Sequence, residues 1–298
     1  MKKIFLLIVT LVGSLFAYTT VSVQNQEIIT NMLSQEQTGN SHLGDLFVFL
    51  QTRLFENAYL FILVVVPLVF LVHYLIVGPK KFKHDGKKYY VFTLFNRIIH
   101  GIAAVSFIII IPTGIIMMFG STFGGGEFVK ACKELHAVST VLFMISVVPM
   151  FLMWLKNMLF TAEDIKWFMI LGGYLSKEKK PVPAGKFNAG QKMWFWVCTL
   201  GGLVMIFTGA TLYVQDLNLA VLTMFGLTKI EMLRLCIIIH NIVGLAMTAL
   251  FFTHIYMSIF AIKGAIASII NGYKEEEEMA ILHGTYYKEL EETKKQEV

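Results

Sequence analysis

Two histidines, His240 and His254, lie on one hydrophobic run, CIIIHNIVGLAMTALFFTHIYMSIFAI at positions 236–262. A run of this length can cross a bilayer, which needs about 20 apolar residues. The two are fourteen positions apart. On an α-helix that is about 21 Å of rise, and both rings project from roughly one face. Ionisable side chains at membrane depth are costly and tend to be functional. Two imidazoles at different depths suit two stacked cofactors, each completed by a histidine from another helix. The plainer alternative is that each is hydrogen-bonded to a neighbouring helix. The choice rests on partners elsewhere in the chain.

The composition sets the frame for those partners. Of the 298 residues only 15% are charged and 56% are hydrophobic, with mean hydropathy +0.67. Soluble domains carry about 25% charged residues. The chain is expected to be an all-α, polytopic membrane protein. Its net charge of +5 follows from basic loops and does not point to nucleic acid. Cys132, Cys198 and Cys236 form no C-x-x-C and no C-x-x-C-H. That pattern argues against covalent c-type haem, a thiolate metal site or a disulfide framework. Each cysteine reads as a small packing residue.

Residues 1–17, MKKIFLLIVTLVGSLFA, form a signal-peptide pattern. An uncleaved first anchor is the alternative. Residues 18–56 are polar and are expected outside the inner membrane, with His42 an exposed loop residue. Apolar spans follow at 58–77, 98–118, 135–155, 193–214 and 236–262. The first of them belongs to an additional helix over 57–78, and the others make a four-helix core within 91–270. Lysine plus arginine counts in the successive connections are six, two, seven, two and five. The positive-inside rule places the first, third and fifth of these in the cytoplasm. The N-terminal segment is then periplasmic and the C-terminus cytoplasmic. Residues 271–298 form a charged tail, whose acidic run reads as a solvated face and whose His283 reads as a surface residue.

Orientation gives each histidine a depth. His100 falls near the inner surface and His136 near the outer one. His240 lies toward the outer end of its helix, and His254 in the inner half. The pairs expected are His136 with His240 outside and His100 with His254 inside. Haem b suits this arrangement, because its iron takes axial imidazoles from opposite faces and its ring fits between bundled helices. Zinc would want three or four ligands at one point. A proton relay would keep carboxylate company, and none of these spans contains an Asp or Glu. His73 reads as a packing or interface residue and His84 as part of a basic loop. Gly101 and Gly244 either admit a porphyrin or serve as helix-packing glycines. Arg97 and Arg234 either meet haem propionates or anchor helix ends at the interface. The sixteen methionines read as packing residues, since four histidines already supply the axial positions.

The segments FNRIIHG, CKELHAV, KFNAGQKMWFW, CIIIHNIVGL, FFTHIYMSIFAIKG and HGTYYKE together resemble the cytochrome b (gamma) subunit of respiratory formate dehydrogenase. The resemblance covers about 91–289, and the signal-like segment, polar stretch and additional helix depart from the family's short form. It implies a four-helix di-haem bundle in the bacterial inner membrane, with His136 and His240 on the outer haem b and His100 and His254 on the inner one. It implies an iron–sulfur (beta) subunit that delivers electrons from a molybdenum- or tungsten-containing catalytic (alpha) subunit. The chain itself would carry no formate site. It also implies a quinone, expected to be menaquinone, reduced beside Asn188, Ala189, Gly190 and Gln191. By its residue type alone Asn188 is equally a helix N-cap. The alternatives are a cytochrome b subunit of a nickel–iron hydrogenase or a thiosulfate/polysulfide reductase, and, from another class, a proton-coupled transporter with structural histidines.

Overall fold

The computed structural model describes residues 41–83, 85–214 and 226–296. The signal pattern at 1–17 and His84 lie outside them. In chain order the helices are α1 (His42–Ile76), α2 (Leu94–Met118), α3 (Gly126–Met158) and the short α4 (Ala162–Met169). They continue with α5 (Ala189–Tyr213), α6 (Lys229–Ala261), α7 (Ala267–Asn271), α8 (Glu276–Leu282) and α9 (Gly284–Gln296). The five helices long and apolar enough to cross a membrane are α1, α2, α3, α5 and α6.

Helix starts are written in the sequence. Thr93 with Asn96, Thr161 with Asp164, Asn188 with Gln191 and Thr228 with Glu231 open α2, α4, α5 and α6 as reciprocal capping boxes. Each box satisfies two backbone N–H groups that the first turn would leave without partners.

A seven-residue rhythm sets the inward faces. Seven residues are close to two helical turns, so such positions stack along one side. On α2 the series is His100, Phe107, Gly114; on α3 it is His136, Phe143, Met150; on α6 it is His240, Met247, His254. Phe107, Phe143, Met150 and Met247 belong to one buried cluster. The Phe107 ring meets Phe143 edge-on at 5.0 Å and lies 6.0 Å from Phe251. Gly202 of α5 makes room for this layer, since a Cβ there would fall 2.6 Å from Phe143. The layer separates two levels of histidines.

α1 begins earlier than expected. The stretch 42–56, expected to be part of a polar segment outside the membrane helix, is helical, with a π-helical turn at Leu50–Phe55. His42 is therefore an exposed helical residue, not a loop residue. Leu43, Leu46, Leu50 and Leu54 recur at helical spacing, a pattern that averaged composition conceals. α1 packs on α6. A Cβ on Gly244 would sit 2.5 Å from the Tyr59 hydroxyl oxygen, which makes Gly244 a helix-packing glycine.

The loops expected on one side do meet at one end of the bundle. The strand β1 (Lys88–Tyr90) pairs antiparallel with β2 (Tyr273–Glu275), and Val182 N–H donates to Ile281 O at 2.9 Å. We call this the tail end and the other the far end.

Two expectations for the tail are corrected here. The acidic run is no free solvated face, because it clamps the basic loop. Glu277 accepts from Lys83 N–H at 2.6 Å and from Lys179 Nζ at 2.8 Å. Glu276 accepts from Lys87 N–H at 3.1 Å and from the Tyr287 hydroxyl at 2.9 Å. His283 is only 2% exposed, with Nδ1 2.9 Å from Gly185 O. The hydrophilic composition misled because these charges meet backbone N–H groups and lysines that are far away in sequence.

The docked tail should be acid-labile. Burial, helped by the nearby Lys274 charge, pushes His283 down to about 3 from its ordinary 6.5. Lys87 N–H holds the Glu276 carboxyl below its usual range, and Lys179 does the same for Glu277. All three groups have lowered values in the folded state. Their contribution is full above the undocked values and is lost as pH falls, for His283 between 6.5 and about 3. A nitroxide attached at position 289 should be immobilised at neutral pH and become mobile below about pH 5, reversibly. Unchanged mobility throughout that range would refute the clamp.

Candidate functional site

At the far end, His136 of α3 and His240 of α6 face each other with ring centres 6.5 Å apart and planes at 53°. A threonine holds each ring. Thr113 Oγ1 lies 3.1 Å from His136 Nδ1, and Thr208 Oγ1 lies 2.9 Å from His240 Nδ1. Each hydroxyl already donates to a carbonyl one turn back, Thr113 to Ile109 O at 2.7 Å and Thr208 to Val204 O at 2.8 Å. A hydroxyl has one hydrogen, so toward the imidazole each oxygen can only accept. With each hydroxyl donating to its carbonyl, Nδ1 carries the ring proton and Nε2 keeps the lone pair a metal needs. A glycine follows each threonine. A Cβ on Gly114 would lie 3.3 Å from His136 Cε1, and one on Gly209 would lie 3.3 Å from His240 Cε1. The sequence reading missed these two Thr–Gly steps. Their signal is the recurrence of TG at 113–114 and 208–209.

At the tail end, His100 of α2 and His254 of α6 face each other with ring centres 6.1 Å apart and planes at 51°. Trp194 of α5 stacks on His254 at 5.5 Å and 21°. Trp154 of α3 lies 6.4 Å from His100. At both levels the same four helices, α2, α3, α5 and α6, contribute one side chain each.

The spacing fits axial ligation. A metal–imidazole bond of about 2.0 Å, plus about 1.1 Å from ring nitrogen to ring centre, puts two opposed imidazoles about 6.2 Å apart. The observed 6.1 and 6.5 Å bracket that value. Among the described residues no group of three or more His, Cys, Asp or Glu could hold a metal ion. Two histidines at this separation could hold a haem iron between them, and two ligands fall short of the three or four that a zinc ion needs.

The remaining candidates fall as follows. His73 Nδ1 lies 2.5 Å from the Tyr256 hydroxyl and Nε2 lies 2.9 Å from Tyr174 O, so both nitrogens are engaged. It joins α1 to α6 as an interface residue. Arg97 donates to Ile270 O at 2.5 Å, and the Arg234 guanidinium lies against Gly44 of α1. A Cβ on Gly101 would meet nothing within 4 Å. Cys132, Cys198 and Cys236 are buried free thiols.

Asn188 and Gln191 form the N-terminal box of α5. Asn188 Oδ1 accepts from Gln191 N–H at 3.0 Å, and Gln191 Oε1 accepts from Asn188 N–H at 2.9 Å. Both amide oxygens are thus turned to the backbone. Among the described residues neither amide nitrogen meets an acceptor, so capping leaves two N–H2 donors for another group. Ala189 is fully buried, and a Cβ on Gly190 would lie 3.0 Å from the Trp167 ring. One residue beyond the box, Lys192 forms a buried ion pair with Asp164 of α4 at 2.7 Å. Phe187, just before the box, packs edge-on against Trp154 at 5.4 Å. Trp154 therefore links this turn to His100.

The chain is similar to known cytochrome b subunits. The chain is 26% identical over 203 residues to the nitrate-inducible formate dehydrogenase cytochrome b556(Fdn) subunit of Escherichia coli (strain K12), covering 66% of this chain and 88% of that one. It is 23% identical over 197 residues to the formate dehydrogenase cytochrome b556 subunit of Haemophilus influenzae, covering 65% and 79%. It is 22% identical over 205 residues to the cytochrome b556(fdo) subunit of E. coli K12, covering 68% and 93%. The family described as prokaryotic cytochrome b561 matches residues 91–272, which hold α2, α3, α5 and α6 and leave α1 outside. That match takes in more than half of the chain and all four helices of the histidine levels, and the chain belongs to the prokaryotic cytochrome b561 family.

Proposed function

We propose that this chain is the membrane-anchoring, di-haem b electron-transfer subunit of a formate dehydrogenase, and that it hands electrons to a quinone. The observation that carries the reading is the pairing of four histidines at two levels of one four-helix bundle. Haem b supplies one-electron redox chemistry at each level. His136 and His240 hold the far-end group, with Thr113 and Thr208 fixing the Nδ1–H form of each ring. His100 and His254 hold the tail-end group, with Trp194 stacked on His254. The buried layer of Phe107, Phe143 and Met247 keeps water out of the space between.

In this reading the far end faces the periplasm and meets an iron–sulfur subunit, which receives electrons from a molybdenum or tungsten catalytic subunit. The tail end faces the cytoplasm, in keeping with its basic loops. The quinone lies beside Asn188, Ala189, Gly190 and Gln191, where the free amide N–H2 groups donate to its carbonyl oxygens. Arg97 and Arg234, near the starts of α2 and α6, meet propionates of the tail-end and far-end haem respectively. Electrons move inward while protons are taken from the cytoplasmic water, so turnover separates charge across the membrane.

Purification from the native membrane tests the assignment. The expected preparation contains an iron–sulfur subunit and a molybdenum or tungsten subunit, with a b-type band in its reduced-minus-oxidised spectrum. Co-purification of a nickel–iron hydrogenase or a thiosulfate reductase would replace formate dehydrogenase as partner. No b-type band would leave the transporter reading.

A further inference from the structure

We propose that the indole N–H of Trp154 is a hydrogen-bond donor to the quinone, and this rests on the placement of that quinone at the 188–191 turn. Trp154 is 7% exposed, and its Nε1 has no hydrogen-bond partner among the described residues. Buried polar groups are nearly always paired, so an unpaired buried N–H in a packed core points to a further acceptor.

Its position indicates which acceptor. The ring stands between His100 at 6.4 Å and Phe187 at 5.4 Å, and Phe187 directly precedes Asn188. Phe92 closes a third side at 6.2 Å. Two other tryptophans show the contrast. Trp196 donates to Met158 O at 2.9 Å and is accounted for. Trp167 Nε1 also lacks a partner, but the tight turn at Gly172 is packed against it, since a Cβ there would lie 2.8 Å away. Trp167 packs on Gly190 of the turn but has no ring contact with a histidine among the described residues; of the two buried indoles without a partner, Trp154 alone contacts both a tail-end histidine, His100, and the residue that precedes Asn188.

The surroundings favour a neutral acceptor. Phe92 and Phe187 pack on the indole. A quinone carbonyl matches a neutral donor there, whereas a haem propionate would be drawn instead to the Lys186 ammonium, which lies 5.5 Å over the Phe92 ring. Indole is too weak an acid to release its proton, so Trp154 binds and orients while the protons of reduction come from elsewhere. It is a binding residue for the quinone oxygen nearer the haem. Phenylalanine keeps an aromatic ring at this position with less volume, and what tryptophan alone adds to the chemistry is the N–H.

The test uses the intact complex in lipid nanodiscs, with dimethylnaphthoquinone as probe. Calorimetry gives its Kd, and redox titration gives the two haem potentials. Trp154→Phe should keep both b bands and both potentials while weakening probe binding by about tenfold, the worth of one neutral hydrogen bond. If phenylalanine costs folding, benzothienylalanine at position 154 replaces N–H by sulfur at nearly the same shape and should show the same loss. Unchanged Kd overturns the proposal. Unchanged Kd with a shifted tail-end potential overturns it in favour of a propionate contact. If the unsubstituted complex fails to bind the probe while reducing quinone elsewhere, the 188–191 placement itself falls.

Discussion

A His254→Ala variant is expected to lose the tail-end haem and keep the far-end one. The b band of the purified protein should fall to about half, and quinone reduction should drop by at least two orders of magnitude, because one of two axial ligands is gone and the path to the tail end is broken. The selectivity follows from the fold. His254 faces His100 at 6.1 Å, while His136 faces His240 at 6.5 Å some two heptads away along α6. Phe107, Phe143 and Met247 fill the space between the levels. His73→Ala is the matched control. It removes an imidazole that also lies against α6, but whose nitrogens are engaged by Tyr256 and Tyr174 O. It should loosen α1 and leave both bands. A folded His254→Ala protein lacking both haems, or keeping both, would refute the two-level assignment.

The extent of what sequence could reveal follows from which interactions are local. Membrane helices declare themselves by length and hydropathy, and the four capping boxes by residues three apart. The pairing of His100 with His254 and of His136 with His240 was legible because alternating loop charge converts sequence position into depth. Depth says nothing about direction around a helix, and there the reading stopped short. Gly244 lies four residues from His240, yet it faces Tyr59 of α1 rather than the histidine levels. The supporting residues were invisible for the same reason, since Thr113 and Thr208 serve histidines on other helices, 23 and 32 positions away. The tail was misread because hydropathy scores a residue by its affinity for water. Glu276, Glu277 and His283 reach partners about 100 to 190 positions distant. The early start of α1 was masked because its first turns mix His42, Asp45, Gln51 and Arg53 with apolar residues.

The Thr–Gly steps carry the second large effect. Thr208→Val keeps the shape of the side chain and removes the acceptor for His240 Nδ1 together with the hydroxyl's own bond to Val204 O. The imidazole then either buries an unpaired N–H, at a cost of about 1–3 kcal/mol, or moves its proton to Nε2 and loses the lone pair that would bind iron. Loss of such an outer hydrogen bond lowers metal affinity about 10–100-fold. The far-end haem should therefore be released preferentially when Thr208→Val protein is challenged with a haem-scavenging apoprotein, with the tail-end band retained. Thr113→Val should do the same through His136, and because both threonines serve one iron the double variant should bind the far-end haem worse than either single one. Thr248→Val supplies the control. Its hydroxyl is also buried on a membrane helix and donates to Gly244 O at 2.7 Å, but no histidine leans on it. If Thr248→Val releases haem as readily as Thr208→Val, the threonines act through helix stability alone. If only the histidine-bonded threonines matter, the ring tautomer is set from α2 and α5, and the far-end site is a product of all four helices rather than of the two that carry its ligands.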